Sequence, residues 1–423
     1  MNIQDTIGAI ENGEFGNAFQ ALYGQEAAER YTKNLRDYWA VFGDAEDISL
    51  YSAPGRTEIG GNHTDHQQGC VLAAALNLDA IAAAAKTDEP TISIQSVGHK
   101  LDIVDLRCLV PIEAECGHAA ALIRGMCARL TILGYRVGGF NAHTTSQVLG
   151  GSGMSSSAAF EVLVGTIISH LYNDGGIDPV VIAQCGQYAE NVYFGKPSGL
   201  MDQMACSVGG FVGIDFYEKE TPKIEPVDFD FAATGHHLCI VDTGGSHADL
   251  TDEYAAIMQE MRAVAAFFGQ EVLSRVTREQ IIGEAAALRA ALGDRAVLRA
   301  LHFTADTRRA VLEKEALGRG DFDGFLRLIR QSGKSSFMYL QNVYAIGSPR
   351  EQGLSLALLL SDTVLGDCGA YRVHGGGFAG TIQAFVPEDL LETYRTTLEA
   401  VFGAGSCHVL HVRAKGGTRV DMA

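Results

Sequence analysis

Apolar residues recur at helical spacing through the first forty or so positions. Tyr31, Leu35 and Tyr38-Trp39 stand at i, i+4 and i+7, and a break near Gly24 divides residues 7–42 into separate helices. The pattern then changes to alternation. Ile48-Ser49-Leu50-Tyr51-Ser52-Ala53 predicts a strand that Pro54-Gly55 is expected to stop. Residues 71–84 and 91–97 predict further strands, 119–133 a helix and 139–146 another strand. Helical periodicity returns over 159–172 and again from about 179 to 193, where Gly195-Lys196-Pro197 forbids continuation. Strands are expected at 209–216 and 237–242, joined by a charged connection at 218–226. Beyond it the chain reads as helices at 249–268, 278–292, 305–318, 322–332 and 349–360, strands at 370–374 and 381–386, a helix at 390–402 and a last strand at 407–412. Strands and helices mix without strict alternation, which predicts an α+β protein. No internal repeat or low-complexity segment interrupts it, and the change of character near residue 217 divides the chain into 1–217 and 218–423.

Size and charge narrow the classes of partner. With 423 residues and 47% hydrophobic content the chain can bury a substantial core. A formal net charge of -19 argues against a nucleic acid or an anionic membrane, either of which needs a basic face. The longest apolar run, 71–85, is broken by Asn77 and Asp79, so no membrane span is expected. The 9 cysteines are scattered and never form a C-x-x-C pair, which suggests neither a disulfide framework nor a zinc ribbon and fits a reducing cytoplasm. The first residues carry no basic and apolar leader pattern.

The densest candidate chemistry is Gly150-Gly151-Ser152-Gly153-Met154-Ser155-Ser156-Ser157, which lies between a predicted strand and a predicted helix. Glycine lets a backbone approach an anion, and the first turn of a helix points unpaired N–H groups at it. The plainer alternative is a flexible turn with an N-capping serine. Two familiar phosphate motifs fail. Gly333-Lys334-Ser335 has Leu328 where a Walker loop needs its first glycine, and Gly195-Lys196 has Glu190 there. Gly375-Gly376-Gly377-Phe378-Ala379-Gly380 satisfies G-x-G-x-x-G but leads into a strand-like run, whereas a dinucleotide fingerprint opens a helix. It is either a tight packing turn or a loop that lets backbone approach a ligand. His63-Thr64-Asp65-His66 contains metal-ligand types without a partner cluster, and the same groups suit a hydroxyl-rich ligand.

Three separated stretches together are more specific than any one. The run from Pro54 to Asp65, the serine-rich glycine loop and the glycine cluster at 375–380 resemble the three signature motifs of the GHMP small-molecule kinases. The first resembles the galactokinase-like branch, as do Gly199-Leu200-Met201-Asp202-Gln203 and His247 followed by the Glu253-Tyr254 pair. That resemblance implies a two-domain fold, with an N-terminal domain like domain 2 of ribosomal protein S5 and a ferredoxin-like C-terminal domain. It also implies ATP- and magnesium-dependent phosphorylation of a monosaccharide at its C1 hydroxyl, with galactose the expected sugar.

By the same resemblance Gly150, Gly151, Ser152, Gly153, Met154, Ser155, Ser156 and Ser157 would bind nucleotide, and Ser157 with Glu190 would hold magnesium. Asp202 would accept the proton of the attacking hydroxyl with Arg56 beside it, a neighbour that keeps a carboxylate ionised. Asn62, His63, Asp65, Gly199 and Tyr254 would bind sugar. The chain departs from the family at Asn62, where glutamate is usual, at His66, where tyrosine is usual, and in the interior Thr57-Glu58-Ile59-Gly60. A neutral Asn62 leaves open a sugar with a C6 carboxylate such as galacturonate. A non-catalytic sugar sensor and a kinase for mevalonate or homoserine are the other readings. Oligomeric state is not addressed by the sequence.

Overall fold

The computed structural model describes residues 1–24, 27–148, 155–196, 198–218, 221–245 and 250–422. Helices α1 (Ile3–Glu11), α2 (Gly16–Tyr23) and α3 (Ala28–Phe42) precede strands β1 (Ile48–Gly60), β2 (Cys70–Lys86), β3 (Thr91–Ser96) and β4 (Asp102–Asp105). Next come α4 (Ala119–Ile132), β5 (Phe140–Ser146), α5 (Ser156–Tyr172), α6 (Pro179–Ala189), α7 (Met201–Val208), β6 (Phe211–Asp215) and β7 (Lys223–Val227). These strands, with β12 (Thr418–Val420), form one sheet in the order β12-β1-β2-β5-β3-β4, and β6 and β7 extend it from the far end of β2.

The long apolar run of β2 follows from burial on both faces. Ile81, Ala83 and Ala85 pack with Phe19, Tyr31 and Leu35 of the N-terminal helices. The alternate residues Ala80, Ala82 and Ala84 join the core that includes α4 and α5. Asp79, one of the polar breaks in that run, is fully buried and serves as an anchor. It accepts the Tyr23 hydroxyl at 2.7 Å and pairs with Arg30 and with Arg413, the latter at 3.2 Å.

The second sheet is antiparallel in the order β11-β8-β10-β9, built from β8 (His236–Asp242), β9 (Ala370–Val373), β10 (Thr381–Pro387) and β11 (Cys407–Leu410). Around it lie α8 (Thr251–Phe267), α9 (Arg278–Gly283), α10 (Ala285–Leu292), α11 (Asp294–Gly318), α12 (Phe322–Ser335), α13 (Gly353–Leu365) and α14 (Leu391–Phe402). The α+β organisation therefore stands. The apolar core runs on from Tyr51 and Leu72 of the first sheet to Leu238, Ile240 and Phe385 of the second. We propose the division at 217/218 for the bulk of each half; β7 and β12 come from beyond it and return to the first sheet.

The helix expected at 305–318 begins at Asp294, and that at 278–292 breaks at Glu284 into two; three further expectations need correction. Pro54-Gly55 does not stop β1, because the register shifts between Pro54 and Arg56 and this irregularity absorbs the proline, which lacks a donor. The strand thus carries Arg56 to Gly60 into the site. The charged connection at 218–226 contains β7, an edge strand that tolerates Pro226. The helix expected to reach 193 ends at Ala189 and continues as a π-turn over Glu190–Phe194.

Helix α11 faces the end of β1 with titratable and basic residues at helical spacing: His302, Asp306, Arg309 and Glu313. Glu313 is fully buried, and among the described residues neither carboxyl oxygen has a hydrogen-bond partner. It lies so close to Gly60 that a Cβ there would overlap its carboxyl. Burial, then the nearby Asp306, push the Glu313 carboxyl up to about 8. Between the ordinary value of 4.5 and about 8 the folded chain holds a proton that the unfolded chain has lost, so this group lowers stability as pH rises through that window. Glu313→Gln removes the effect. Thermal melting should show the variant gaining on the wild type between pH 5 and pH 8, each at about those values; a constant offset across the window would show that Glu313 does not titrate there.

Candidate active site

Strand β1 delivers Arg56 to the first turn of α7, where its Nε donates to Asp202 Oδ1 at 2.8 Å. The other carboxylate oxygen accepts the hydroxyl of Ser155. Ser155 has φ 56°, a left-handed conformation unusual for serine, at the entry to α5. Burial alone would raise the Asp202 carboxyl, but the Arg56 charge and the hydrogen bonds from Arg56 and Ser155 outweigh it and hold the group below the usual carboxylate range. Asp202 is thus an ionised acceptor at neutral pH.

A second acidic group stands on the other side of the α5 entry. Ser157 Oγ donates to Glu190 Oε1 at 2.8 Å, and Lys196 Nζ reaches the same oxygen at 3.1 Å. Gln203, next to Asp202, donates through Nε2 to Glu190 Oε2 at 3.0 Å and to Glu161 Oε2 at 2.9 Å. Glu161 is fully buried, and burial followed by the Glu190 charge pushes its carboxyl well above the ordinary range. A single amide therefore bridges the two acids, the buried Glu161 and the Glu190 that pairs with Lys196. The π-turn beginning at Glu190 directs its side chain to this point, and Gly195 at φ 85° closes the turn.

The residues between β1 and β2 meet the glycine cluster, which forms the turn from β9 to β10. Asn62 Nδ2 donates to Gly375 O at 2.7 Å, His63 Nε2 to Gly376 O at 2.9 Å, and the Tyr254 hydroxyl to Gly377 O at 2.8 Å. Only glycine fits this contact. A Cβ on Gly376 would strike the Tyr254 ring, and Gly377, at φ 80°, lies against Asn342 O. Asn62 itself is fully buried; its Nδ2 also donates to Glu58 Oε1 at 3.0 Å and its Oδ1 accepts Asn342 Nδ2 at 2.8 Å. Asp65, in contrast, lines an open cleft of about 970 Å³ together with Gly199, His66, Gln68 and Arg262. Gly199 comes within about 3.0 Å of the Asp65 carboxylate at its Cβ position, so a side chain there would crowd the acid. A second cavity of about 440 Å³ opens at the first turn of α5, bordered by Ser156, Ser157, Val97, Thr144, Phe160 and Phe194.

The structure thus brings Arg56, Asp202 and Ser155 into contact, joins Ser157 to Glu190, and sets Asp65 beside Gly199. His63 and Tyr254 converge on the glycine turn, while Asn62 points inward. Gly150, Gly151, Ser152, Gly153, Met154 and His247 lie outside the described residues. Gln203, Glu161, Arg372 and Asn342 were not singled out by the sequence, and Lys196 was noted only beside Gly195 as a failed Walker lysine. The only available signals were Gln203 inside the quoted Gly199–Gln203 stretch and a lone arginine in the short strand around Tyr371 and Val373.

A family model described as the galactokinase galactose-binding signature matches residues 37–86, and one described as the GHMP kinases N terminal domain matches residues 119–210. The chain is thus similar to the GHMP kinases, and within them to the galactokinase-like branch. A curated galactokinase of Streptomyces coelicolor is 29% identical to this kinase over 405 residues, which cover 94% of this chain and 95% of the relative. Among solved structures, Lactococcus lactis galactokinase complexed with galactose superposes with a TM-score of 0.75 at 22% identity, covering 90% of this chain and 98% of its own. Methanococcus jannaschii mevalonate kinase gives 0.61 at 14%, covering 87% and 99%.

For this kinase the Arg56–Asp202 pair has a measurable consequence. Arg56→Met removes the charge that lowers the Asp202 carboxyl and leaves burial to raise it. The acid limb of the kcat/KM profile should therefore move to higher pH. An unshifted limb with reduced turnover would show that Arg56 acts only on the transferring group.

Proposed function

We propose that this kinase transfers the terminal phosphoryl group of ATP to the C1 hydroxyl of galactose. The arrangement that carries this reading is Asp202, an ionised carboxylate held between Arg56 of the first signature motif and Ser155 at the mouth of the helix expected to receive the triphosphate. Phosphoryl transfer requires mainly positioning and charge stabilisation. The C1 oxygen forms a bond to the terminal phosphorus, the bond from that phosphorus to the bridging oxygen breaks to release ADP, and the hydroxyl proton passes to Asp202. Arg56 keeps Asp202 ionised beforehand and balances charge on the transferring group.

The nucleotide is assigned to the α5 entry. Ser155, Ser156 and Ser157, with Gly150, Gly151, Ser152, Gly153 and Met154, form the phosphate loop in this reading, and the adjoining 440 Å³ cavity takes the base. Ser157 and Glu190 are assigned to magnesium. A hydroxyl and a carboxylate oxygen 2.8 Å apart form the hard oxygen set that this ion prefers. When bound, the ion neutralises phosphate charge. Sugar binding is assigned to His63, Asp65, Tyr254 and the Gly199 backbone. Asn62 supports them from beneath, because its amide is occupied within the chain.

ATP consumption measured with galactose, galacturonate, arabinose, N-acetylgalactosamine and glucose should be greatest with galactose. A preference for galacturonate would move the assignment to an acidic sugar, and binding without turnover of any sugar would favour a sensor. Asp202→Asn should lower turnover by roughly 100-fold to 10,000-fold while nucleotide still binds; near-normal turnover would remove Asp202 from the role of base.

A further inference from the structure

The loop that carries His63 and Asp65 is fastened to α11 through Asn62. Gly61 has φ 86° and His63 has φ 57°, so the backbone passes twice through the left-handed region, the second time at a residue with a side chain. A non-glycine residue in that region is strained and persists only where its surroundings hold it. Between those two residues stands Asn62, and both its backbone groups are taken by side chains of α11. Asp306 Oδ2 accepts the Asn62 N–H at 2.8 Å, and His302 Nε2 lies 3.0 Å from the Asn62 carbonyl oxygen. A carbonyl only accepts, so His302 carries its proton on Nε2, and its Nδ1 accepts the Ser335 hydroxyl at 2.8 Å. Both side chains are fully buried, and each is more than 200 positions from Asn62 in sequence. Asp306 is fixed in turn by Arg309 and by Ser332 at 3.3 Å.

We infer that His302 and Asp306 are positioning residues for sugar recognition: they clamp the Asn62 peptide from both sides and thereby aim His63 and Asp65 at the sugar. Neither lines the open cleft. The inference rests on the proposed sugar site, because it assigns those two loop residues to the acceptor. A clamp that acts on sugar binding in both ground and transition states raises the sugar KM and leaves kcat in place. It leaves the ATP KM unchanged, since the α5 entry is not held by these groups.

The test compares His302→Leu with His302→Gln, which keeps an N–H donor, and with Asp306→Asn, all as full-length chains whose thermal unfolding is measured alongside. His302→Leu should raise the galactose KM by about tenfold, the size expected for a lost positioning hydrogen bond, with kcat and the ATP KM within about twofold. His302→Gln should recover most of that loss. Amide exchange of the segment around residues 61–66 should be faster in the leucine and asparagine variants than in the wild type. A folded His302→Leu protein with an unchanged galactose KM, a glutamine variant no better than leucine, or unchanged exchange at 61–66 would overturn the clamp. A wild-type protein that phosphorylates no sugar would instead remove the proposed function, and the exchange measurement would still decide whether the clamp exists.

Discussion

The site depends on one buried ion pair between the two sheets. Arg372 of β9 is fully buried, and its guanidinium donates to Glu58 Oε1 and to the carbonyl oxygen of Ile59, each at 2.8 Å, both on β1. A buried pair of this kind contributes little compared with an apolar replacement, yet breaking it by removing one partner costs about 3–5 kcal/mol because the other charge is stranded. Its value here is geometric. It fixes the end of β1 against β9, so the turn that follows β9 lies where Asn62 and His63 can donate to it. Burial raises the Glu58 carboxyl, and Arg372, His63 and the Asn62 amide act against that rise.

From that contact the remaining assignments follow in layers. The glycine turn exposes successive carbonyl oxygens to Asn62, His63 and Tyr254, a use of glycine that has nothing to do with dinucleotides. His374, just before the turn, sits between Thr57 at 3.0 Å and Thr381 at 2.9 Å. Burial, with Arg56 and then Arg372 nearby, pushes its imidazole down to about 3, so it remains neutral and adds no charge next to Arg56. The network keeps Arg56 as the cation facing Asp202. Gln203 does the corresponding work on the acidic side, holding Glu190 toward Ser157 and donating to the buried Glu161 behind it.

Much of this was legible in the chain. Alternation over β1, the long apolar run of β2 and the helical spacing of α3 and α5 located those elements, because each buried face leaves its own pattern in the chain. The motif residues Arg56, Ser157, Glu190 and Asp202 were named from resemblance, and their side chains do meet in pairs. Local signals misled where tertiary packing overrode them. Pro54-Gly55 reads as a stop, but β1 pairs on both sides of it and carries the strand through a bulge. Glu190 reads as an ordinary helix residue, whereas a π-turn re-aims it.

The sequence by itself determined the periodic elements, the α+β class and the residue types of a phosphoryl-transfer site, since these depend on near neighbours and on recognisable short motifs. Only the tertiary structure decided what Asn62 does. Read alone, it is a substitution facing a sugar. In the fold it is a buried joint whose backbone is held by His302 and Asp306 and whose amide ties Glu58 to the glycine turn. The physical reason is distance along the chain. His302, Asp306 and the glycine turn lie more than 200 residues away, and no local pattern records which buried polar groups will satisfy one another once two sheets close over them.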